Sequence, residues 1–305
     1  MDEKTKRHHY VPQFLIKNFT NKDGKILIYD KKKNVFFKAV PNNIFLEGDR
    51  NTFENFGGEK SDEIEKMYAD LDSVFSKALQ KIVNTGKMEV EDLRILLLFA
   101  YTQKWRVPQY DQALDEAINY YTVDNLGLGL KENGNVVDVK LEPFFNSMEM
   151  QETKRFLLAL QPFRYKNDYK KIFKNSFLLS SPYPALLSDC PFREAQANTD
   201  IAFEDFIFPI HEQLTLVYAQ RIDKYEFAKF TESEKYEIFI KNFSLSRDAT
   251  AIYYADRFVG CSDDEYLRTV VKNYNIANNN EKLRKAIPMS VFCFINNYYN
   301  DEYNR

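Results

Sequence analysis

Lys87-Met88-Glu89-Val90-Glu91-Asp92-Leu93-Arg94-Ile95-Leu96-Leu97-Leu98-Phe99-Ala100-Tyr101-Thr102-Gln103-Lys104-Trp105-Arg106 carries the most apolar helical pattern of this 305-residue chain. Leu93, Leu96, Leu97, Ala100 and Tyr101 fall at helical spacing, and the run Ile95–Phe99 implies burial on most sides. Val107-Pro108 ends it. Before it, Ser61 is placed to cap a helix over Asp62–Val83, with Ile64, Met67, Leu71, Val74, Phe75, Ala78, Leu79 and Ile82 on one face. After it, Tyr110–Tyr121 restarts as a third helix, Gly127–Asp138 is a polar turn region, and helical patterns return near Ser147–Leu160 and Asn167–Phe173.

The pattern changes outside this block. Lys25–Tyr29 and Val35–Ala39 predict a hairpin around a charged loop, and Glu47–Lys60, with three glycines, predicts a loop. Ser176–Ser180, Ala185–Ser188, Phe206–Pro209 and Leu214–Tyr218 predict strands separated by proline-containing turns. Helices are expected again at Ser233–Asn242, Leu245–Tyr254 and Asp263–Tyr274, with a final strand over Ser290–Ile295. Helices gathered apart from strands predict an α+β fold: a helical block packed beside a small, mainly antiparallel sheet. One domain is expected, comprising an N-terminal motif and hairpin (1–45), helical block (61–173), strand-rich part (176–218) and C-terminal helices and strand (232–296).

Composition excludes several classes. Hydrophobic residues make up 44% and charged residues 29%, ordinary for a globular chain able to bury a core. The net charge of −3 argues against a generally cationic nucleic-acid-coating protein, while leaving room for a local basic groove. No apolar run reaches the length of a membrane-spanning helix, and the polar start lacks a signal-peptide pattern. Cys190, Cys261 and Cys293 are odd in number and far apart, so neither a disulfide framework nor a thiolate zinc site is expected, and a reducing cytoplasm fits. Phosphate-binding glycine loops, HExxH and GxSxG are absent from the sequence.

Two of the three histidines open the chain in Lys6-Arg7-His8-His9-Tyr10-Val11-Pro12-Gln13-Phe14-Leu15. Imidazole titrates near neutrality and ligates metals, so this cationic segment is a candidate site, with Pro12 in the first turn of a short helix. A solvated cationic end is the alternative. Asp189, in Leu187-Ser188-Asp189-Cys190-Pro191-Phe192, sits where a strand is stopped by proline. It either presents a carboxylate at the sheet rim or caps the turn. Arg106 either complements its helix dipole or clamps an anion. Cys190 is expected to be a buried, inert thiol. The catalytic candidates are His9 and Asp189, and the substrate-binding candidates are Arg106, Tyr10, Gln13 and His8. A divalent metal is not favoured, because His9 and Asp189 leave an incomplete shell unless His211 or Glu65 joins, and adjacent His8 and His9 rarely chelate one ion together.

The segment His9-Tyr10-Val11-Pro12-Gln13-Phe14-Leu15-Ile16-Lys17-Asn18-Phe19 resembles the N-terminal signature of the domain-of-unknown-function 4238 (DUF4238) family of prokaryotes and their viruses. The resemblance continues through Ile64-Glu65, Phe99–Gln103, Arg106-Val107-Pro108, Ser188–Phe192 and Phe208-Pro209-Ile210-His211. Val107 stands where the family usually has threonine or a similar residue, and His8 where it tolerates other residues, which makes His9 the stronger site candidate. Some members resemble components of antiviral defence. The resemblance therefore implies a cytoplasmic defence or toxin-like effector enzyme acting on an anionic substrate, a nucleic acid or nucleotide. The alternative is a non-catalytic sensor or interaction module that recognises a phage or host protein.

Overall fold

The computed structural model describes residues 7–54, 58–120, 131–132, 135–136, 155, 158–160, 169–195 and 204–303. Strand β1 (Arg7–His9) leads through Pro12 into helix α1 (Gln13–Lys17). The predicted hairpin follows as β2 (Ile26–Asp30) and β3 (Val35–Ala39). Short strands β4 (Leu46–Gly48), β5 (Phe53–Glu54) and β6 (Lys60–Ser61) precede the long helices α2 (Glu63–Thr85), α3 (Val90–Arg106) and α4 (Asp111–Tyr120). After a two-stranded ribbon, β7 (Lys131–Glu132) and β8 (Asn135–Val136), come α5 (Tyr169–Asn175), β9 (Ser176–Ser180), β10 (Leu187–Ser188) and β11 (Arg193–Glu194). Then follow β12 (Phe206–His211), β13 (Leu214–Tyr218), α6 (Lys224–Phe230), α7 (Tyr236–Tyr254), β14 (Phe258–Cys261), α8 (Asp264–Asn278) and α9 (Glu281–Tyr303).

The fold is α+β, as the pattern predicts. The strands form two four-stranded antiparallel sheets, ordered β10-β14-β2-β3 and β11-β12-β13-β9. β1 pairs antiparallel with β4, placing His9 opposite Leu46. The largest apolar cluster runs from Tyr10 through α2 and α3 to Tyr218, so the N-terminal segment, the helical block and the strand-rich part share one core. A second cluster joins the inner face of the hairpin, Leu27 and Tyr29, to α7 and α8.

Local chemistry explains the helix ends. Ser61 Oγ accepts the Glu63 amide (3.3 Å), but the N-cap position falls one residue later than expected, on Asp62, and α2 starts at Glu63. Gly86, with φ at 64°, closes α2 in the left-handed conformation that glycine adopts without a Cβ penalty. Glu89 and Asp92 form a reciprocal capping box at the start of α3.

Four expectations need correction. Glu47–Lys60 is not wholly loop: β4, β5 and β6 are two- and three-residue strands whose hydrogen bonds come from pairing, not from local propensity. Pro12 stands just ahead of the first turn of α1 rather than within it. The two helices expected at Ser233–Asn242 and Leu245–Tyr254 are one helix, α7. Its polar residues Ser244, Arg247 and Asp248 are buried with partners: Ser244 Oγ meets Ser181 Oγ at 2.8 Å, and Asp248 pairs with Arg247. Ser290–Ile295 is helical, inside α9. Its aromatic and branched residues suggested a strand, but Ile287, Val291, Phe292 and Ile295 are the buried ones, a helical spacing. Most of Gly127–Asp138 and Ser147–Leu160 lies outside the described residues; 155 and 158–160 are helical. Among the described residues no helix is long and apolar enough to cross a membrane.

Gly260, in the centre of β14, admits no side chain. A Cβ there would meet Ile26 Cδ1 at 2.5 Å and Ile28 Cδ1 at 2.8 Å. Gly260→Ala should therefore cost about 1–3 kcal/mol of stability through overpacking, read as a lower urea midpoint with an unchanged slope. An unchanged midpoint would mean that the two isoleucines move aside freely.

Candidate functional site

The opening motif is an ordered strand. Tyr10 N–H donates to the Phe45 carbonyl (3.0 Å), continuing the β1–β4 pairing. His8 is fully buried, and its Nδ1 accepts the Asn51 amide at 2.8 Å. His9 is half-buried. Its Nε2 faces the Pro41 carbonyl (3.1 Å), which can only accept, so Nε2 carries the proton and Nδ1 accepts from Gln13 Nε2 (3.4 Å). Burial pulls the His9 pKa below the ordinary imidazole value, and Arg106 and Arg7 act in the same direction, against the Pro41 carbonyl and Glu65. His9 is thus a neutral imidazole whose Nδ1 lone pair meets only a long amide contact.

Arg106, at the end of α3, is 3% exposed. Its Nη1 donates to both oxygens of Asp72 (2.9 and 3.0 Å), and the guanidinium lies 4.3 Å from the Tyr68 ring centroid. Burial pushes the Asp72 carboxyl up, with Arg106 opposing. Three residues earlier on the same helix, Gln103 Nε2 donates to the Tyr10 carbonyl at 2.7 Å, locking the opening motif against α3. Arg50 closes this corner by donating to the Arg106 carbonyl (3.1 Å) and to Asp111 (2.6 and 3.0 Å). Arg106 therefore reaches His9 by its field, while its Nη1 is taken by Asp72 and its buried Nε has no hydrogen-bond partner.

Asp189 clasps a turn. Its Oδ1 accepts the Asp256 amide (3.0 Å), and its Oδ2 accepts the amides of Arg257 (2.7 Å) and Phe258 (2.8 Å). Burial raises its pKa, while these amides and Arg193 oppose. Tyr10 and Asp189 nevertheless face common ground: both line a cavity of about 300 Å³, together with Lys32, Glu47, Gln109 and Arg257. The Gln109 Oε1 atom is buried without a hydrogen-bond partner. No hydrogen bond joins His9 to Asp189, and His9 is not among the residues lining that cavity. The structure thus brings Tyr10 and Asp189 together, and separately groups His9 with Gln13 and, electrostatically, Arg106.

Sequence reasoning passed over Lys104, Arg193, Glu194 and Gln109. Lys104 and Glu194 form a buried ion pair at 2.5 Å. Their signal lay in Tyr101-Thr102-Gln103-Lys104-Trp105-Arg106, where every residue is buried. A helix apolar on most sides has no wet face, so polar residues within it must find interior partners. Among the described residues no group of three or more His, Cys, Asp or Glu side chains could hold a metal ion. His211 is spent on the Gln213 amide, which donates to its Nδ1 at 3.1 Å.

The signature described as "Protein of unknown function (DUF4238)" matches residues 7–242, more than three quarters of the chain. The chain belongs to the DUF4238 family. No curated protein and no solved structure matches it. The DUF4238 match includes Tyr10, Arg106 and Asp189, whereas the amides of 256–258 that clasp Asp189 lie beyond it.

Two measurements probe these roles. Because the folded pKa of His9 lies below its unfolded value, its neutral form contributes stability above about pH 6.5, and that contribution is lost as pH falls through the folded pKa. His9→Gln, which can still donate to Pro41, should flatten the fall in urea midpoint between pH 7 and 5, leaving the share due to His211, whose pKa is lowered in the same sense. An identical slope in the variant would contradict the buried, neutral His9. Asp189→Ala orphans three amides at roughly 1–3 kcal/mol each and should lower stability by about 3 kcal/mol or more; a loss under 1 kcal/mol would exclude the clasp.

Proposed function

We propose that this DUF4238 chain is a cytoplasmic defence or toxin-like effector that takes a nucleotide, or the end of a nucleic acid, into the cavity between Tyr10 and Asp189. The observation that carries the reading is the convergence itself. The opening motif and the Ser-Asp-Cys-Pro segment, far apart in sequence, line one cavity near the lower end of the roughly 300–1,000 Å³ range of small-molecule sites. Its chemistry suits such a ligand. The unpartnered Gln109 Oε1 is an acceptor for the exocyclic amine of a base, and Tyr10 supplies a hydroxyl. Lys32 and Arg257 are cations for a phosphate, held at present by Asp256 (2.6 Å) and Asp30 (3.0 Å). The defence setting rests on the family resemblance alone.

In this reading Tyr10, Gln109 and Lys32 bind the substrate, Asp189 shapes the floor, and His9 is the base held neutral beside the site, with Gln13 orienting its ring. His8 and Arg106 position the motif through Asn51 and Asp72. The interaction-module reading is favoured by one observation: both Asp189 oxygens are committed to backbone amides.

Titration calorimetry with nucleoside mono- and triphosphates and short single-stranded oligonucleotides tests the proposal. Wild type should bind at least one saturably. Lys32→Ala should weaken it about tenfold or more, and Gln109→Leu about two- to tenfold. If ligand turns over, His9→Asn should abolish turnover while sparing binding. Absence of binding by every one of these ligands overturns the nucleotide reading and gives the interaction module the lead.

A further inference from the structure

Arg193 leads from a proline turn into β11 and is 4% exposed. Its Nη1 donates to the Phe192 carbonyl (3.0 Å) and to Cys190 Sγ, and its guanidinium stacks 4.6 Å from the Tyr254 ring centroid. Its Nε and Nη2 are buried and have no hydrogen-bond partner. These two N–H groups share one edge of the guanidinium, the fork that matches a carboxylate or phosphate bidentately.

Among the described residues no carboxylate bonds to that edge. Glu194 gives Oε2 to Lys104, and a second bond joins it to Tyr101. Asp189 turns both oxygens to the amides of 256–258. Among the described residues no ion pair satisfies Arg193, whereas Lys104, Arg106 and Arg247 each have a carboxylate. Asp189 lies within electrostatic range of Arg193 but spends its oxygens elsewhere, so two buried donors stay unmet, which is costly unless a ligand meets them. Tyr254, which stacks on the guanidinium, is itself only partly buried.

We infer that the Nε–Nη2 edge of Arg193, the edge turned away from the Cys190 contact, is an oxyanion-binding site that takes phosphate or the terminal phosphate of a larger ligand. The cation supplies the charge, the fork sets the geometry, and Tyr254 holds the plane. The site does not rest on the nucleotide reading of the neighbouring cavity, because inorganic phosphate alone tests it.

The test is nitrogen-15 NMR of the full chain titrated with sodium phosphate against sodium chloride at matched ionic strength. Phosphate should shift the Arg193 Nε–H resonance and the amides around Cys190–Glu194 and Tyr254 saturably. Arg193→Lys, which keeps the charge but not the fork, should weaken binding about tenfold or more. Adenosine monophosphate forms a second arm: equal affinity identifies a free-oxyanion site, and tighter binding with the same Arg193 shift identifies the phosphate of a larger ligand, both supporting the inference. No saturable shift in wild type, or shifts confined to surface lysine segments, would overturn it. That readout uses the unaltered protein, so it stands even if the variant fails to fold.

Discussion

Lys104 and Arg106 enter the interior on the same helix, and buried cations of this kind are tolerable only with partners. The partners come from different parts of the chain: Asp72 from the preceding helix and Glu194 from the strand-rich part. Satisfying α3 therefore binds three regions into one core, with the apolar cluster filling the space between them. Gln103 adds the fourth by taking hold of the Tyr10 carbonyl. The order of the architecture follows from the polar demands of a helix whose apolar run put it in the centre.

What the sequence makes legible is what local periodicity encodes. Helices α2 and α3, the proline stop at 108, the hairpin around Asp30–Asn34 and the strands near 176, 206 and 214 appear where the pattern puts them, although Met67 and Val74 of the expected α2 stripe are exposed and Tyr68 is buried in their place. The strand pair Arg7–His9 with Leu46–Gly48 is illegible because a three-residue strand has no period of its own and depends on a partner 39 residues away. Ser290–Ile295 misleads for the opposite reason: Val291, Phe292 and Ile295 suit either period, and Ile287 is needed to decide.

The candidate site was half visible. Asp189 shows its turn-capping chemistry in Ser-Asp-Cys-Pro, but the amides it holds lie 67 to 69 residues on. Tyr10 reads as a substrate-binding candidate, and it lines a cavity. Arg193 follows an apolar residue in an unremarkable turn, and only the burial of its guanidinium marks it out. Charges are conspicuous in a sequence; their desolvation is not.

β14 lies between β10 and β2 in its sheet, yet it begins sixteen residues after the family match ends at Asn242. The span that similarity recognises and the span that folds cooperatively are therefore different lengths. A chimera or fragment cut at 242 would sever α7 in mid-helix, divide the sheet down its middle, and strip the Asp189 carboxylate of its donors. The C-terminal helices would leave with it, uncovering Leu27 and Tyr29 on the hairpin. Any shuffling of this domain between proteins has to carry β14 and the helix α8 behind it, through Asn278, as an inseparable part of the inherited unit.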